Sequence, residues 1–144
     1  MRITPHFDTA EFRQRAWSKG PAVEYPKEWL KERLTPLCLA LEVLREELDG
    51  KAMHILSGYR SEAFNKAISG AKLSQHVQGR AADVTVAGVP ATRVWAVLQS
   101  LVGQGVIPQV RGIGLYSKQN FVHIDVRPTV QLATWGGDFS PSEA

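Results

Sequence analysis

Across residues 27–48, leucine recurs at 30, 34, 37, 41, 44 and 48, in alternating steps of four and three. That spacing lays the six on one stripe of a helix, with Glu, Lys and Arg mostly on the other faces and Leu39 off the row. Such a stripe has to be covered, by the chain's own core or by a partner, and the core is the simpler of the two. Pro36 interrupts the row. Proline costs about 3 kcal/mol inside a helix, so the pattern predicts a kink or a fresh helix start there. Asp49-Gly50 then closes the helix.

The remaining elements are shorter. Residues 9–17 read as two helical turns, and Lys19-Gly20-Pro21 as a break. Apolar runs predict strands at 53–57, 82–86, 113–116 and 121–126, the last two joined through a hairpin at 117–120. Ser61 caps a short helix that ends at Ser69-Gly70. Val94, Val97, Leu98 and Leu101 mark a further amphipathic helix closed by Gly103 and Gly105. The last 17 residues read as irregular, with Trp135 and Phe139 as aromatic anchors. Helices gathered early and strands late predict an α+β fold, with helices packed on one face of a small, mainly antiparallel sheet. At 144 residues, a single domain over 1–144 is the expectation.

Composition mainly excludes. A chain with 44% hydrophobic and 22% charged residues is an ordinary globular one. No apolar run approaches the roughly 18 to 20 residues of a membrane span. The single cysteine, Cys38, rules out an internal disulfide and a multi-cysteine zinc site, and reads as a small buried hydrophobe. A surplus of three positive charges, scattered along the chain, does not make a nucleic-acid binder even with a pI near 9.2. The opening residues carry no apolar stretch of a secretory signal.

Of four histidines, two have chemically useful company. His76 stands in a polar loop that runs through Gly79 into an apolar strand opened by Asp83. A carboxylate in that place is costly unless it is paired or bound to a metal. On the strand at 121–126, alternation puts His123 and Asp125 on one face with Phe121 and Arg127, and Val122, Ile124 and Val126 on the other. Two histidines and an aspartate with an open fourth position suit a hydrolytic zinc site. A buried His–Asp hydrogen-bond network is the alternative on spacing alone. His54, within a strand, and His6, near the start, read as structural. Trp135 either lids a pocket or closes the core.

Ser57-Gly58-Tyr59-Arg60-Ser61, Asn65, Gly70-Ala71, Ser74-Gln75-His76, Gly79 and Ala81-Ala82-Asp83 resemble the zinc D-alanyl-D-alanine carboxypeptidase family. That family also includes vancomycin-resistance D-Ala-D-Ala dipeptidases, phage L-alanyl-D-glutamate endolysins and murein endopeptidases. Gly112-Ile113-Gly114-Leu115-Tyr116 and Phe121-Val122-His123-Ile124-Asp125 resemble the second half of its signature, and His6-Phe7 with Glu11-Phe12 its small single-domain branch.

The resemblance implies a hedgehog/D-Ala-D-Ala-peptidase-like fold and one zinc ion per chain, held by His76, Asp83 and His123. It implies that Arg60 stabilises an oxyanion or a substrate carboxylate and that Ser74 lines the substrate cleft. Many members carry Glu or Asp three residues before the last histidine ligand, where this chain has Asn120. An amide cannot take a proton from water, so Asp125 is the expected catalytic base, with an orienting role for it as the alternative. The implied activity is a zinc metallopeptidase, carboxypeptidase or endopeptidase, acting on peptidoglycan stem peptides as a monomer at the bacterial wall or periplasm. Without a visible signal, a phage lysin released through a holin or carried on a tail fits as well as a bacterial enzyme lacking its leader. A non-catalytic zinc-containing module that binds wall peptides or a protein is the competing expectation.

Overall fold

A computed structural model describes residues 1–136; Gly137 and the anchor Phe139 lie outside the described residues. Two short strands, β1 (Arg2–Thr4) and β2 (Phe7–Asp8), pair antiparallel at the start. The leucine-rich segment is helical throughout, but in three pitches: a 3-10 turn at Lys27–Trp29, a π turn at Leu30–Leu34, and the α-helix α1 (Thr35–Glu47). Pro36 explains the change. It lies in the first turn of α1, where its missing N–H breaks no bond, and the wider turn ahead of it closes from the Thr35 N–H to the Leu30 carbonyl. Leu34, Leu37, Leu41 and Leu44 are fully buried while Leu39 is half exposed, so the stripe faces the protein's own core.

The main sheet has strand order β3-β4-β6-β5-β7, from β3 (Met53–Ser57), β4 (Ala81–Val86), β5 (Gly112–Tyr116), β6 (Phe121–Asp125) and β7 (Ala133–Trp135). All neighbours are antiparallel except β5 and β7. Between β3 and β4 lies α2 (Glu62–Ala67), capped by the Ser61 hydroxyl, and between β4 and β5 lies α3 (Ala91–Gly103). Ile55, Ala82, Val84, Val86, Ile113, Val122 and Ile124 are the sheet's contribution to one hydrophobic core shared with α1 and α3. The opposite face carries the chemistry, beneath the segment that holds α2 and His76.

Two local expectations need correction. Residues 9–17 form only one 3-10 turn, Thr9–Phe12, closed by a reciprocal cap between Asp8 and Glu11. Arg13 is then extended, and Gln14 pairs with Val23 and Trp17 with Gly20 in a small hairpin-like loop. The tail expected to be irregular supplies β7, which joins the outer edge of β5 in parallel. Its three residues are too few to show alternation.

Candidate active site

The register of the sheet assembles the site. Asp83 on β4 lies opposite His123 on β6, His123 opposite Gly114 on β5, and Gly114 opposite Trp135 on β7; Ser57 on β3 completes the row. Side chains in such a row point to the same face. A Cβ on Gly114 would collide with the Trp135 indole, and one on Gly112 with the Asp125 carboxylate. The glycines of β5 are therefore the room in which two flanking side chains sit.

His76 reaches the row from above. Gly79, at φ +67°, turns the loop toward β4, and its N–H bonds to the His76 carbonyl. The Tyr25 hydroxyl donates to the Gly79 carbonyl at 2.6 Å, and Arg33 to the Gln78 carbonyl at 2.7 Å. Ser74 is 1% exposed, and its Oγ accepts the His76 backbone N–H at 3.2 Å. That bond ties Ser74 to the shape of the loop that presents His76.

At the centre, Asp83 Oδ1 lies 3.2 Å from His76 Nε2 and 3.0 Å from His123 Nδ1. One ligand atom from each of the three residues falls within 4.8 Å of the others. The outer ring nitrogens are both committed: His76 Nδ1 to the Gly58 carbonyl at 2.8 Å, and His123 Nε2 to Asp125 Oδ2 at 2.7 Å. Acceptors at both outer positions favour a proton there, the arrangement that would leave the inner nitrogen of each ring to a metal. Both rings are wholly buried, and Asp83 is 6% exposed. This donor set fits one divalent cation.

Burial disfavours every charge here, and the partners decide the outcome. Burial alone would raise Asp83, but His76 and His123 hold its carboxyl well below the usual range. Burial pulls His76 down against the attraction of Asp83. Burial also works against a charged His123, yet the bonds from Asp125 and Asp83 push it up to about 9.

Asp125, the expected catalytic base, has its carboxylate committed to other partners here. Its carboxylate is fully buried behind the His123 ring, on the nitrogen that faces away from Asp83. The Arg127 guanidinium holds it at 2.7 and 2.9 Å, and the Arg127 N–H at 3.1 Å. A group so placed is set to orient His123. Asn120 is equally committed: at φ 57° it closes the β5–β6 turn, and its Oδ1 accepts the first N–H of α3, from Ala91, at 2.9 Å.

Arg60 is the cation at the mouth. Its Nη2 is 3.5 Å from Asp83 Oδ2, while Ser57 Oγ and Asn65 Oδ1 hold its Nε and Nη1 at 3.1 and 3.3 Å. Arg60 and Asp83 line a cleft with Gly70, Tyr116 and Phe121. Tyr116 stacks on Phe121 and receives the Trp135 Nε1–H at 3.1 Å. The Trp135 ring lies 5.1 Å from that of His123, so it closes the site from behind. His54 is exposed on β3, and His6 is gripped by Glu42 at 2.7 Å, so both lie outside the site. Cys38 is buried within α1, and burial pushes its thiol up. The contributions of the Gly58 carbonyl and Arg127 went unread in the sequence; the one available signal was Arg127 sharing a strand face with His123 and Asp125.

A buried His–Asp–His group on one face of a small α+β sheet is a candidate site for a single metal ion. Residues 5–125 match the Peptidase M15 family, and the chain belongs to it. Among similar proteins, the probable peptidoglycan L,D-endopeptidase MepK of Haemophilus influenzae is 34% identical over 90 residues, 59% of this chain and 43% of that protein. The peptidoglycan L,D-endopeptidase MepK of Escherichia coli K12 is 31% identical over 83 residues, 54% of this chain and 42% of that protein. The chain thus spans less than half the length of either relative. Among the described residues, no helix is long and apolar enough to cross a membrane.

Proposed function

We propose that this chain is a zinc metallopeptidase that hydrolyses peptide bonds in the stems or cross-links of bacterial peptidoglycan, cutting within the peptide as an endopeptidase. The observation that carries the reading is Asp83 Oδ1 set between two inward imidazole nitrogens whose outer partners are fixed. His76, Asp83 and His123 would hold one zinc ion. Bound there, zinc supplies a Lewis acid that polarises the scissile carbonyl and brings a water toward ionisation near neutral pH. Asp125, itself pinned by Arg127, keeps the proton on His123 Nε2 and the ring in place. Arg60 offers its guanidinium to the negative charge that develops on the carbonyl oxygen. The endopeptidase form rests on the cleft, which adjoins a second hollow at Arg60 and Ile68 and so offers room that continues past the cleft itself.

Digestion of purified peptidoglycan by the zinc-loaded protein, with a chelated control, tests the reading. Chelator-sensitive muropeptides are the expected product, and their masses identify the bond: an internal cut for an endopeptidase, loss of one terminal residue for a carboxypeptidase. One observation favours a second reading, a zinc-containing module that binds wall peptides without cutting them. Asp125, the expected base, and Asn120, which stands where many members carry an acid, are both bonded to other partners. That reading predicts zinc and peptide binding with no released product.

A further inference from the structure

The hollow that adjoins the cleft is the more cationic of the two. Arg13, Arg15 and Arg60 line it with Trp17, Phe64 and Ile68, and no acidic side chain is among its lining residues. Trp17 and Phe64 meet edge to face at 5.1 Å and form one wall, while the 56–60 backbone forms the floor. The hollow is built in advance of any ligand. Gln14, 4% exposed, accepts both the N–H and the hydroxyl of Ser61 at 2.8 Å, which locks the loop carrying the arginines to the cap of α2.

Arg60 faces Asp83, but the charges of Arg13 and Arg15 are not spent. Arg15 lies along the outer edge of β3, donating to the carbonyls of Leu56 at 3.1 Å and Ile55 at 3.2 Å. Those neutral acceptors place the guanidinium and leave its charge intact. The carboxylate facing Arg13 is Glu24 at 3.8 Å, on a side chain 76% exposed, and an exposed pair of that length neutralises little. Arginine is suited to bind carboxylates through paired N–H donors.

We infer that this hollow is a substrate subsite for a free carboxylate carried by the peptide beside the scissile bond, so that the site selects stem peptides whose carboxylates are not amidated. The inference rests on the peptidase reading for its setting, but its residues lie outside the metal group.

Two synthetic stem peptides, identical except for carboxylate or carboxamide on the residues flanking the cut bond, test it. Zinc-loaded wild type should favour the carboxylate peptide by about tenfold in kcat/KM, the size of one charge-assisted hydrogen bond. Arg13→Gln with Arg15→Gln should bring that preference close to unity by raising KM for the carboxylate peptide. Arg13→Glu, at an exposed position where folding is safe, should shift the preference toward the carboxamide. Titration of both peptides into metal-free protein gives a readout without turnover, in which only wild type should bind the carboxylate form more tightly. Equal use of the two peptides by wild type, or a preference unchanged in the variants, overturns the subsite and leaves the peptidase standing. If neither peptide is cut, the peptidase reading fails, and the titration decides: a carboxylate preference lost in the variants sustains the subsite, and equal binding overturns it.

Discussion

His123 and Asp125, two positions apart on β6, are bonded side chain to side chain at 2.7 Å through the imidazole nitrogen that faces away from Asp83. The bond sets what Asp125 can do. Asp125→Asn should weaken zinc binding by about 10- to 100-fold, the usual cost of losing the group that orients a histidine ligand. Competition against a chromogenic chelator measures it. Unchanged affinity with turnover abolished would instead make Asp125 the base.

The same bond couples metal uptake to pH. With His123 raised to about 9 in the metal-free protein, its contribution to stability is present in full below its unfolded value of about 6.5 and is lost as pH climbs through 9. Zinc must displace that proton. Uptake at neutral pH should therefore release about one proton, and affinity should rise about tenfold per pH unit up to 9. Calorimetry in buffers of different ionisation enthalpy counts the proton. On the acid side, the depressed carboxyls of Asp83 and Asp125 contribute stability above their unfolded range that is lost as pH falls.

Gly112→Ala drives a methyl group into the Asp125 carboxylate. The expected cost is about 1–3 kcal/mol in chemical denaturation, as for other overpacked interiors, together with a weaker metal site. Gly103→Ala, at a position with open space around it, should cost neither and serves as the control.

Ser74→Ala removes the acceptor of the buried backbone N–H of His76. A loss of about 1–3 kcal/mol in stability is expected, with looser zinc binding. A change confined to KM would return Ser74 to the substrate cleft.

The sequence marked the His–Asp–His group more clearly than its surroundings. His76, Asp83 and His123 stood out because a carboxylate at the mouth of an apolar strand demands a partner and because the flanking motif is specific. Alternation put Asp125 on the face of His123, but a period of two does not say which ring nitrogen a carboxylate meets. That depended on Gly112 across the strand pair, which leaves the space Asp125 fills. For Ser74 the sequence leaves a similar choice open: a loop serine beside His76 can face the cleft or the backbone, and here its hydroxyl accepts the His76 N–H. The leucine stripe foretold α1 and its buried face, and Pro36 foretold the irregular start without revealing a π turn. The parallel strand β7 was hidden because its pairing with β5 is wholly tertiary.

The central claim is that one zinc held by His76, Asp83 and His123 drives peptide-bond cleavage. Its most direct test is activity on peptidoglycan as zinc is titrated into the metal-free protein, beside His76→Ala. Muropeptide release should rise from nil, level off at one zinc per chain, and stay absent in His76→Ala. Full release by the metal-free protein, or by His76→Ala, would contradict it.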